Sequence, residues 1–332
     1  SHFFICSEVR KSLSYKIAWM HQKGDFAGLI TAASASKLYS TELAQKLANY
    51  ATEIMGLYGQ LEEGPHAPMQ GSMTELFQMC KGGTIYDGTN EIQRNLLRKS
   101  VAEFLSKECP FDTVREIEDS ATGYDKKMWQ KMAKLGWMEI HFPEAYGGLG
   151  DPFVELTIIL EEMGKKAFPS PFFSTVILCG LTLMEGGSEK QKKTLLPKIA
   201  AGKLIMSLAQ YEEEAGYLEA GINLSAQPEG DDYILNGTKM FVLDANIADL
   251  LIVAARTPKG VTLFLLNPKT SGVCIQKLQT IGRDNNCVVT LENVKISKND
   301  MIGGPGKGWQ IMEKMTPKAT VAKCAEMLGG CE

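Results

Sequence analysis

An acid, a glycine and a threonine stand side by side in the segment Thr84–Arg94. Asp87 precedes Gly88, and Thr89 can cap the helix that the following residues predict. This pattern places a carboxylate on a flexible corner beside a helix N-terminus. In the structural alternative, Asp87 only starts a turn and Thr89 only caps the helix. The spacing alone favours this structural alternative.

Other groups that could do chemistry carry weaker patterns. The glycine-rich run Gly303–Gly308 lacks the spacing of a phosphate-binding loop, and Trp309 follows its last glycine, so we expect a plain turn between a strand and a helix. The four histidines show no metal-ligand spacing, and no metal site is predicted. The eight cysteines are scattered without a C-x-x-C pair, which indicates reduced thiols and a cytoplasmic, intracellular location.

The elements that must position these residues fall into three parts along the chain. Residues 1–204 have mainly helical periodicity, residues 205–300 have strand periodicity, and residues 305–332 return to helix. No regular alternation of strands and helices is present. We therefore predict an α+β fold in which an antiparallel β-domain lies between helical parts.

The helical signals are strongest in three stretches. Ser36–Leu57 has the three- and four-residue spacing of a packed amphipathic helix. Asp151, followed by Pro152, predicts the start of another helix. The apolar stripe expected to be buried on that helix consists of Phe153, Val154, Leu156, Ile159, Leu160 and Met163. Ser188 and Gln191 have the spacing of a capping box at the start of a third helix.

The strand signals predict two hairpins and one further strand. Residues 233–242 read as a hairpin with its tight turn at Asn236-Gly237, because this pair tolerates positive φ angles. Leu250–Ala255 and Val261–Leu266 flank a second turn at residues 257–260, and Cys287–Ile296 is the further strand.

Composition excludes several classes of protein. The chain has 332 residues, of which 44% are hydrophobic and 22% charged, as in ordinary globular proteins of two or three domains. The net charge of −4 gives no broad basic surface for nucleic acid. The longest aliphatic run, Leu250–Ala255, is far shorter than the ~20 residues of a membrane-spanning helix.

Five segments together resemble the acyl-CoA dehydrogenase family. They correspond to the family patterns I-Y-E-G-T-x-E-I-Q-R, P-E-x-Y-G-G-x-G, G-S/T-E-x-Q-K with L-P-x-I/L-A-x-G, and two shorter motifs. In this chain they are Ile85–Arg94, Pro143–Gly150, Gly187–Gln191 with Leu196–Gly202, Leu235–Lys239, and Gly306–Trp309. The resemblance runs along most of the chain and implies an FAD-dependent oxidoreductase acting on acyl-CoA.

The order of these segments differs from that of the family. The acid-bearing segment lies near the C-terminus in the family but occupies residues 1–94 here. The resemblance then assigns an N-terminal-type helical domain to residues 95–204, a β-domain to 205–302 and the first helix of the C-terminal bundle to 303–332. A slice of a tandem fusion, a circular permutation and renumbered pieces all remain open. We expect the four-helix bundle to be assembled from both chain ends, with residues 1–60 packed against the helix beginning near Gln310.

The resemblance assigns the reacting groups by position. Asp87 takes the position of the catalytic glutamate, and the backbone N–H of Gly88 takes the position that polarises the thioester carbonyl. Tyr86 and Tyr217 fall at substrate positions. Aspartate is used at this position by some members that act on cyclic acyl-CoA substrates, which implies an alicyclic or otherwise unusual acyl-CoA.

The resemblance also assigns the residues around FAD, which is expected between the β-domain and the helical bundle. Tyr211 and Phe241 fall beside the flavin ring system. The other positions near FAD are Gln210, Leu243, Thr89, Glu91, Glu53 and Gly56.

Three departures from the family pattern concern these cofactor contacts. Tyr211 replaces a threonine that bonds the flavin, and Leu243 replaces the hydroxyl that bonds flavin N5. Glu53 stands where a glutamine often faces the pyrophosphate, and a carboxylate there is electrostatically unfavourable. They motivate an alternative, in which the chain is a flavin-poor, non-catalytic subunit of a heteromeric relative. The partners expected from the resemblance are electron-transfer flavoprotein as acceptor and further subunits in a homo- or hetero-oligomer, a dimer of dimers.

Overall fold

The computed structural model describes residues 14–15, 17–22, 26–61, 64, 66, 71–83, 90–150, 153–213 and 218–332. Helices come first along the chain, then a mixed sheet of mainly antiparallel strands, then one long helix, as the sequence predicted. Within the described residues, no helix combines the length and the apolar character needed to cross a membrane.

Three helices with described bounds lie wholly or partly in the acid-bearing part of the chain, after a helical segment at residues 14–15 and 17–22. They are α1 (Phe26–Met55), α2 (Ser72–Gly83) and α3 (Asn90–Glu108). Helix α1 contains most of the predicted stretch Ser36–Leu57 and continues into a 3-10 turn at Gly56–Gln60. Helix α3 packs against both α1 and the later helix at Phe153–Lys165, and it runs unbroken past the boundary predicted at residue 94.

The second helical part surrounds the main hydrophobic core. It contains α4 (Phe111–Glu118), α5 (Lys126–Lys134), α6 (Phe153–Lys165), a π-helix (Phe173–Cys179), α7 (Gly180–Gly186) and α8 (Glu189–Ala200). The predicted capping box is confirmed, because Ser188 and Gln191 each accept a hydrogen bond from the other's backbone N–H. Asp151 and Pro152 lie outside the described residues.

The predicted apolar stripe of α6 is buried in part. Leu156, Ile159, Leu160 and Met163 are buried as expected. Val154 is 49% exposed, and its burial was predicted wrongly. It is two residues from Leu156, and side chains two apart on a helix point to different faces.

The described residues form one sheet of eight strands: β1 (Met206–Ala209), β2 (Ser225–Glu229), β3 (Asp232–Leu243), β4 (Leu250–Thr257), β5 (Gly260–Leu266), β6 (Val273–Lys277), β7 (Asn286–Ile296) and β8 (Met301–Ile302). Their order is β6-β7-β3-β2-β4-β5-β8, with β1 paired in parallel to β4. In β4, Ile252 and Ala254 pack with the helices while Leu251 and Val253 pack into a second core on the other face. Burial on both faces explains the unbroken apolar run of this strand.

The hairpin predicted at Asn236-Gly237 is wrong. Both residues lie inside β3, at a register shift against β7, and Gly237 has a φ of 139°. The side-chain oxygen of Asn236 accepts a hydrogen bond from the backbone N–H of Asn293 at 2.7 Å. The conformational freedom of the pair therefore serves a β-bulge, and the chain reverses at Gly230 instead.

The other strand predictions are confirmed. Strands β4 and β5 pair antiparallel across the turn at residues 257–260, and β7 covers Cys287–Ile296. The glycine-rich run after β8 is a turn that leads into α9 (Gly308–Cys331).

Helix α9 docks onto the second helical part. Met312 and Met315 are buried, and α9 packs mainly against α6, with further contacts to α7 and β5. Helix α1 packs instead against α2 and α3. The described residues of α1 and α9 therefore form no extensive helix pair, unlike the direct packing that we predicted for residues 1–60. Helix α9 packs against α6 and α7 instead, and it leaves Val321 53% and Leu328 55% exposed.

Candidate functional site

An aromatic side chain projects from the sheet at a bulge near the end of β3. Lys239 is opposite Val289 and Val242 is opposite Cys287, so β3 holds one more residue than β7 over this interval. Phe241 has a φ of 52° and is 57% exposed. Bulges re-aim side chains in this way beside functional sites. Phe241 is therefore not a core residue of the strand.

The loop that follows β1 brings a second aromatic residue to the same place. The backbone N–H of Met240 donates to the carbonyl oxygen of Tyr211 at 2.9 Å, which joins this loop to the bulge. Tyr211 is 40% exposed. Two exposed aromatic residues thus lie on hydrogen-bonded segments at one edge of the sheet, an arrangement suited to a planar ring.

A buried ion pair between Lys239 and Glu212 attaches this loop to β3. The side chain of Lys239 is fully buried, and its Nζ donates to the carbonyl oxygen of Gln210 at 3.0 Å and to Glu212 Oε1 at 2.6 Å. Burial lowers the pKa of Lys239 to about 8, although Glu212 acts in the opposite direction. Glu212 also accepts hydrogen bonds from the backbone N–H groups of Asn223 and Leu224.

The sequence reading missed Lys239 and Glu212 as members of the site. A signal was present, because Lys239 directly precedes the apolar residues 240–243 near the end of β3, and Glu212 directly follows Tyr211. A lysine in a buried strand needs an acidic partner.

Two further predicted cofactor residues, Leu243 and Gln210, lie next to the segments that carry the aromatic pair. Leu243 is half-buried, and its carbonyl oxygen accepts a hydrogen bond from the Ser207 hydroxyl. Gln210 is also half-buried. This edge therefore offers apolar and backbone contacts, without a side-chain hydroxyl at position 243.

A second acid, Asp244, directly follows Leu243 in the chain. Asp244 is buried at a φ of 60° and accepts hydrogen bonds from the Ser174 hydroxyl at 2.6 Å and from Asn285 Nδ2 at 3.1 Å. Burial raises the pKa of Asp244. Its partners come from the π-helix and from the residue before β7, so it ties the end of β3 to the helical part.

Three other predicted cofactor residues lie elsewhere in the described structure. Glu53 is exposed in the last turn of α1, Gly56 is exposed with a φ of 56°, and Glu91 is exposed in the first turn of α3. These helices pack on each other, so the structure does not group the three with Phe241. Asp87, Gly88, Thr89, Tyr86 and Tyr217 lie outside the described residues.

Three domain models of one family match successive parts of the chain. The acyl-CoA dehydrogenase C-terminal domain matches residues 5–102, the N-terminal domain matches 91–203 and the middle domain matches 207–294. The chain belongs to the acyl-CoA dehydrogenase family. The predicted family, the fold and the reversed order of the C-terminal segment are thereby confirmed. Members of this family are FAD-dependent flavoproteins.

Individual acyl-CoA dehydrogenase relatives agree with this assignment. The chain is 30% identical over 248 residues to 3-(aryl)acrylate reductase of Clostridium sporogenes, covering 71% of this chain and 65% of that protein. It is 30% identical over 239 residues to mitochondrial isovaleryl-CoA dehydrogenase of Pongo abelii, covering 68% and 56%. The structure of the Tcur3481-Tcur3483 steroid ACAD matches with a TM-score of 0.66 and 26% identity, over 71% of this chain and 63% of that chain. The chain thus spans less than two thirds of the length of these relatives.

The edge that carries Tyr211 and Phe241 has a composition that fits FAD, the cofactor of the acyl-CoA dehydrogenase family. Both aromatic side chains are exposed and would face the flavin ring system, and Leu243 would add apolar surface. Backbone groups must replace the absent hydroxyl at position 243. Glu53 offers no favourable contact to a pyrophosphate, because both groups are anionic.

Proposed function

We propose that this chain is an FAD-dependent acyl-CoA dehydrogenase that converts an acyl-CoA to an enoyl-CoA, with Asp87 as the base. The observation that supports the proposal is that Tyr211 and Phe241, which the resemblance assigns to the flavin, are both exposed and lie on hydrogen-bonded segments. Membership of the family supports the chemistry, and the acid–glycine–threonine segment directly precedes α3.

The reaction needs one proton and one hydride to leave neighbouring carbons. The thioester carbonyl acidifies the α C–H bond, and Asp87 accepts that proton. The backbone N–H of Gly88 donates to the carbonyl oxygen and stabilises the negative charge that develops there. Tyr211, Phe241 and Leu243 would hold the ring system of FAD, and the bound cofactor would supply the acceptor for the β-hydrogen, which leaves as hydride.

Aspartate at the base position restricts the substrate. It is one methylene shorter than glutamate, which shortens the reach by about 1.5 Å. Such a displacement disrupts alignment with a straight-chain substrate. We therefore propose an alicyclic or otherwise unusual acyl-CoA, bound closer to the base, with Tyr86 and Tyr217 beside it.

An electron-transfer flavoprotein is the proposed acceptor. A relative of 27% identity over 248 residues is the CarC subunit of the caffeyl-CoA reductase-Etf complex of Acetobacterium woodii, covering 71% of this chain and 65% of that protein. We also propose assembly into a homo- or hetero-oligomer, such as a dimer of dimers, because the family contacts its flavin across a dimer.

The absence of a hydroxyl at Leu243 and the carboxylate at Glu53 favour a second candidate function. In it, the chain is a flavin-poor, non-catalytic subunit that supports an active relative. A visible absorption spectrum of the purified protein after incubation with FAD and gel filtration separates the two. Retained oxidised-flavin bands support the dehydrogenase, whereas a flavin-free protein supports the non-catalytic subunit.

A further inference from the structure

Lys239 joins two segments that carry the aromatic pair. It lies in β3 two residues before Phe241, and its Nζ bonds the residues on both sides of Tyr211, namely Gln210 and Glu212. The backbone of Tyr211 is thus held by the Lys239 side chain and by the N–H of Met240.

Glu212 extends this attachment to a third segment. While it pairs with Lys239, its carboxylate accepts the backbone N–H groups of Asn223 and Leu224 at 2.9–3.1 Å. These residues lead into β2, on the far side of the loop that contains Tyr211. Removing the charge of Lys239 leaves this carboxylate without its cation.

We propose that Lys239 and Glu212 are positioning residues whose charge pair holds Tyr211 beside Phe241, so that flavin affinity falls when Lys239 loses its proton. The inference rests on the proposed FAD-binding function. It adds a pH-dependent control of cofactor affinity through two residues that need not touch the flavin.

The charged surroundings of Lys239 make Glu212 its dominant partner. Strand β1, which packs against β3, has no charged residue. On β2 and β7, Glu229 pairs with Lys295 at the far end of β3, while Glu292 is exposed. Glu213 of the same loop is exposed as well. With the pKa of Lys239 at about 8, the pair loses its positive charge as pH rises through that value.

Stability and flavin affinity should respond to this titration in opposite directions. The pKa of Lys239 is lower in the folded chain than its ordinary value of 10.5. Between these values the unfolded chain binds more protons, so this group makes the free energy of unfolding rise with pH. A merely structural role therefore predicts no loss of flavin binding at high pH.

The test is a fluorescence titration of flavin-free protein with FAD between about pH 6.5 and about pH 9.5, since that range brackets the titration. If only the protonated form binds well, the Kd for FAD rises about tenfold at one pH unit above the midpoint. Lys239→Met should bind weakly at every pH, with no such rise. Glu212→Gln should move the midpoint to lower pH, because Glu212 raises the pKa of Lys239. If Lys239→Met does not fold, the shift of the midpoint in Glu212→Gln tests the inference by itself.

Lys295→Met is the matched control, because it removes a lysine whose pair with Glu229 is exposed. It should leave the Kd and its pH dependence unchanged. A Kd for FAD that stays constant in the natural protein across this range, or that rises equally in Lys239→Met, overturns the inference alone. Failure of the natural protein to bind FAD at any pH overturns the proposed function as well.

Discussion

Phe241 illustrates what a single residue contributes to this site. A non-glycine residue in the left-handed region costs about 1–2 kcal/mol, and most of the Phe241 side chain is exposed, so its packing offsets little of that cost. We expect Phe241→Gly to raise the free energy of unfolding by about 1 kcal/mol in urea denaturation. The same change should weaken FAD binding about tenfold through loss of an aromatic contact. Phe241→Tyr, which keeps the ring, should change neither. Unaltered FAD affinity in Phe241→Gly would remove this residue from the ring site.

The single residue Glu144 makes the stability of the protein depend on pH. Burial raises the pKa of Glu144 to about 7, and its Oε1 is buried without a hydrogen-bond partner. Between the ordinary value of 4.5 and about 7 the folded chain binds more protons, so this group lowers stability as pH rises. Glu144→Gln should therefore be more stable than the natural protein at pH 8, by about 1–3 kcal/mol, and equal at pH 4. Thermal unfolding at both pH values measures this, and an equal difference at both would contradict it.

The base, by contrast, could be assigned from the sequence only through the resemblance. Spacing alone favoured a turn at Asp87, because acid–glycine pairs are common in turns. Lys239 and Glu212 escaped notice because their pairing depends on tertiary contact between a strand and a loop. The motif made Phe241 a flavin candidate, which stays a prediction, and its exposure comes from a bulge that the alternation of residues does not reveal.

Helix packing is decided by two glycines at the crossing of α6 and α9. A methyl group added at Gly164 would lie 1.9 Å from the carbonyl oxygen of Glu326, and one at Gly329 would lie 1.8 Å from that of Glu161. Alanine normally stabilises a helix interior by up to ~1 kcal/mol relative to glycine, yet here the helices would have to separate. We expect Gly164→Ala and Gly329→Ala each to destabilise the protein by about 1–3 kcal/mol in urea denaturation.

Gly330→Ala is the control for this crossing. Its nearest neighbour, the carbonyl oxygen of Gly164, would be 3.8 Å away, which is an ordinary contact. The change should be neutral or slightly stabilising. Equal destabilisation by all three changes would show that α9 tolerates no alanine near its end, and the close-approach explanation would fail.

Arg94 connects elements across the boundary predicted at residue 94. From α3 it bonds Glu42 of α1 at 3.0 Å and Glu155 of α6 at 3.1 Å. Glu155 is buried, and its other oxygen has no hydrogen-bond partner. Arg94→Met should lower the free energy of unfolding by about 3–5 kcal/mol in urea denaturation, because it leaves the buried Glu155 carboxylate without its cation. Arg283→Met, which breaks an exposed pair with Asp119, should cost about 0–1 kcal/mol. Similar losses in both variants would refute this role.

Strand prediction succeeded where a turn sequence joins two apolar runs and failed where the same residues form a bulge. The β4–β5 hairpin follows from local sequence, since apolar strands flank the turn at residues 257–260. Asn236-Gly237 has equally good local turn chemistry. Pairing of β3 along its length with β7 outweighs it, which only the tertiary structure determines.

At the scale of the whole molecule, the order of the family segments is the distinguishing feature. The C-terminal domain model precedes the N-terminal one and overlaps it at residues 91–102, within the unbroken helix α3. The boundaries at residues 94, 204 and 302 remain our proposal for the units of this chain. The sequence predicted the layers correctly but not the packing of α9, because an apolar helical face does not specify which other face covers it.

The central claim is that the chain oxidises an acyl-CoA with Asp87 as the base, and anaerobic stopped-flow mixing tests it most directly. FAD-loaded protein is mixed with straight-chain and alicyclic acyl-CoA esters while flavin bleaching is followed. We predict rapid bleaching with at least one alicyclic ester. In Asp87→Asn, which keeps the volume but loses the charge, the rate should fall by about 10²–10⁴ with FAD and acyl-CoA still bound. Bleaching at an unchanged rate in Asp87→Asn, or no bleaching of the natural protein by any ester, would contradict the account.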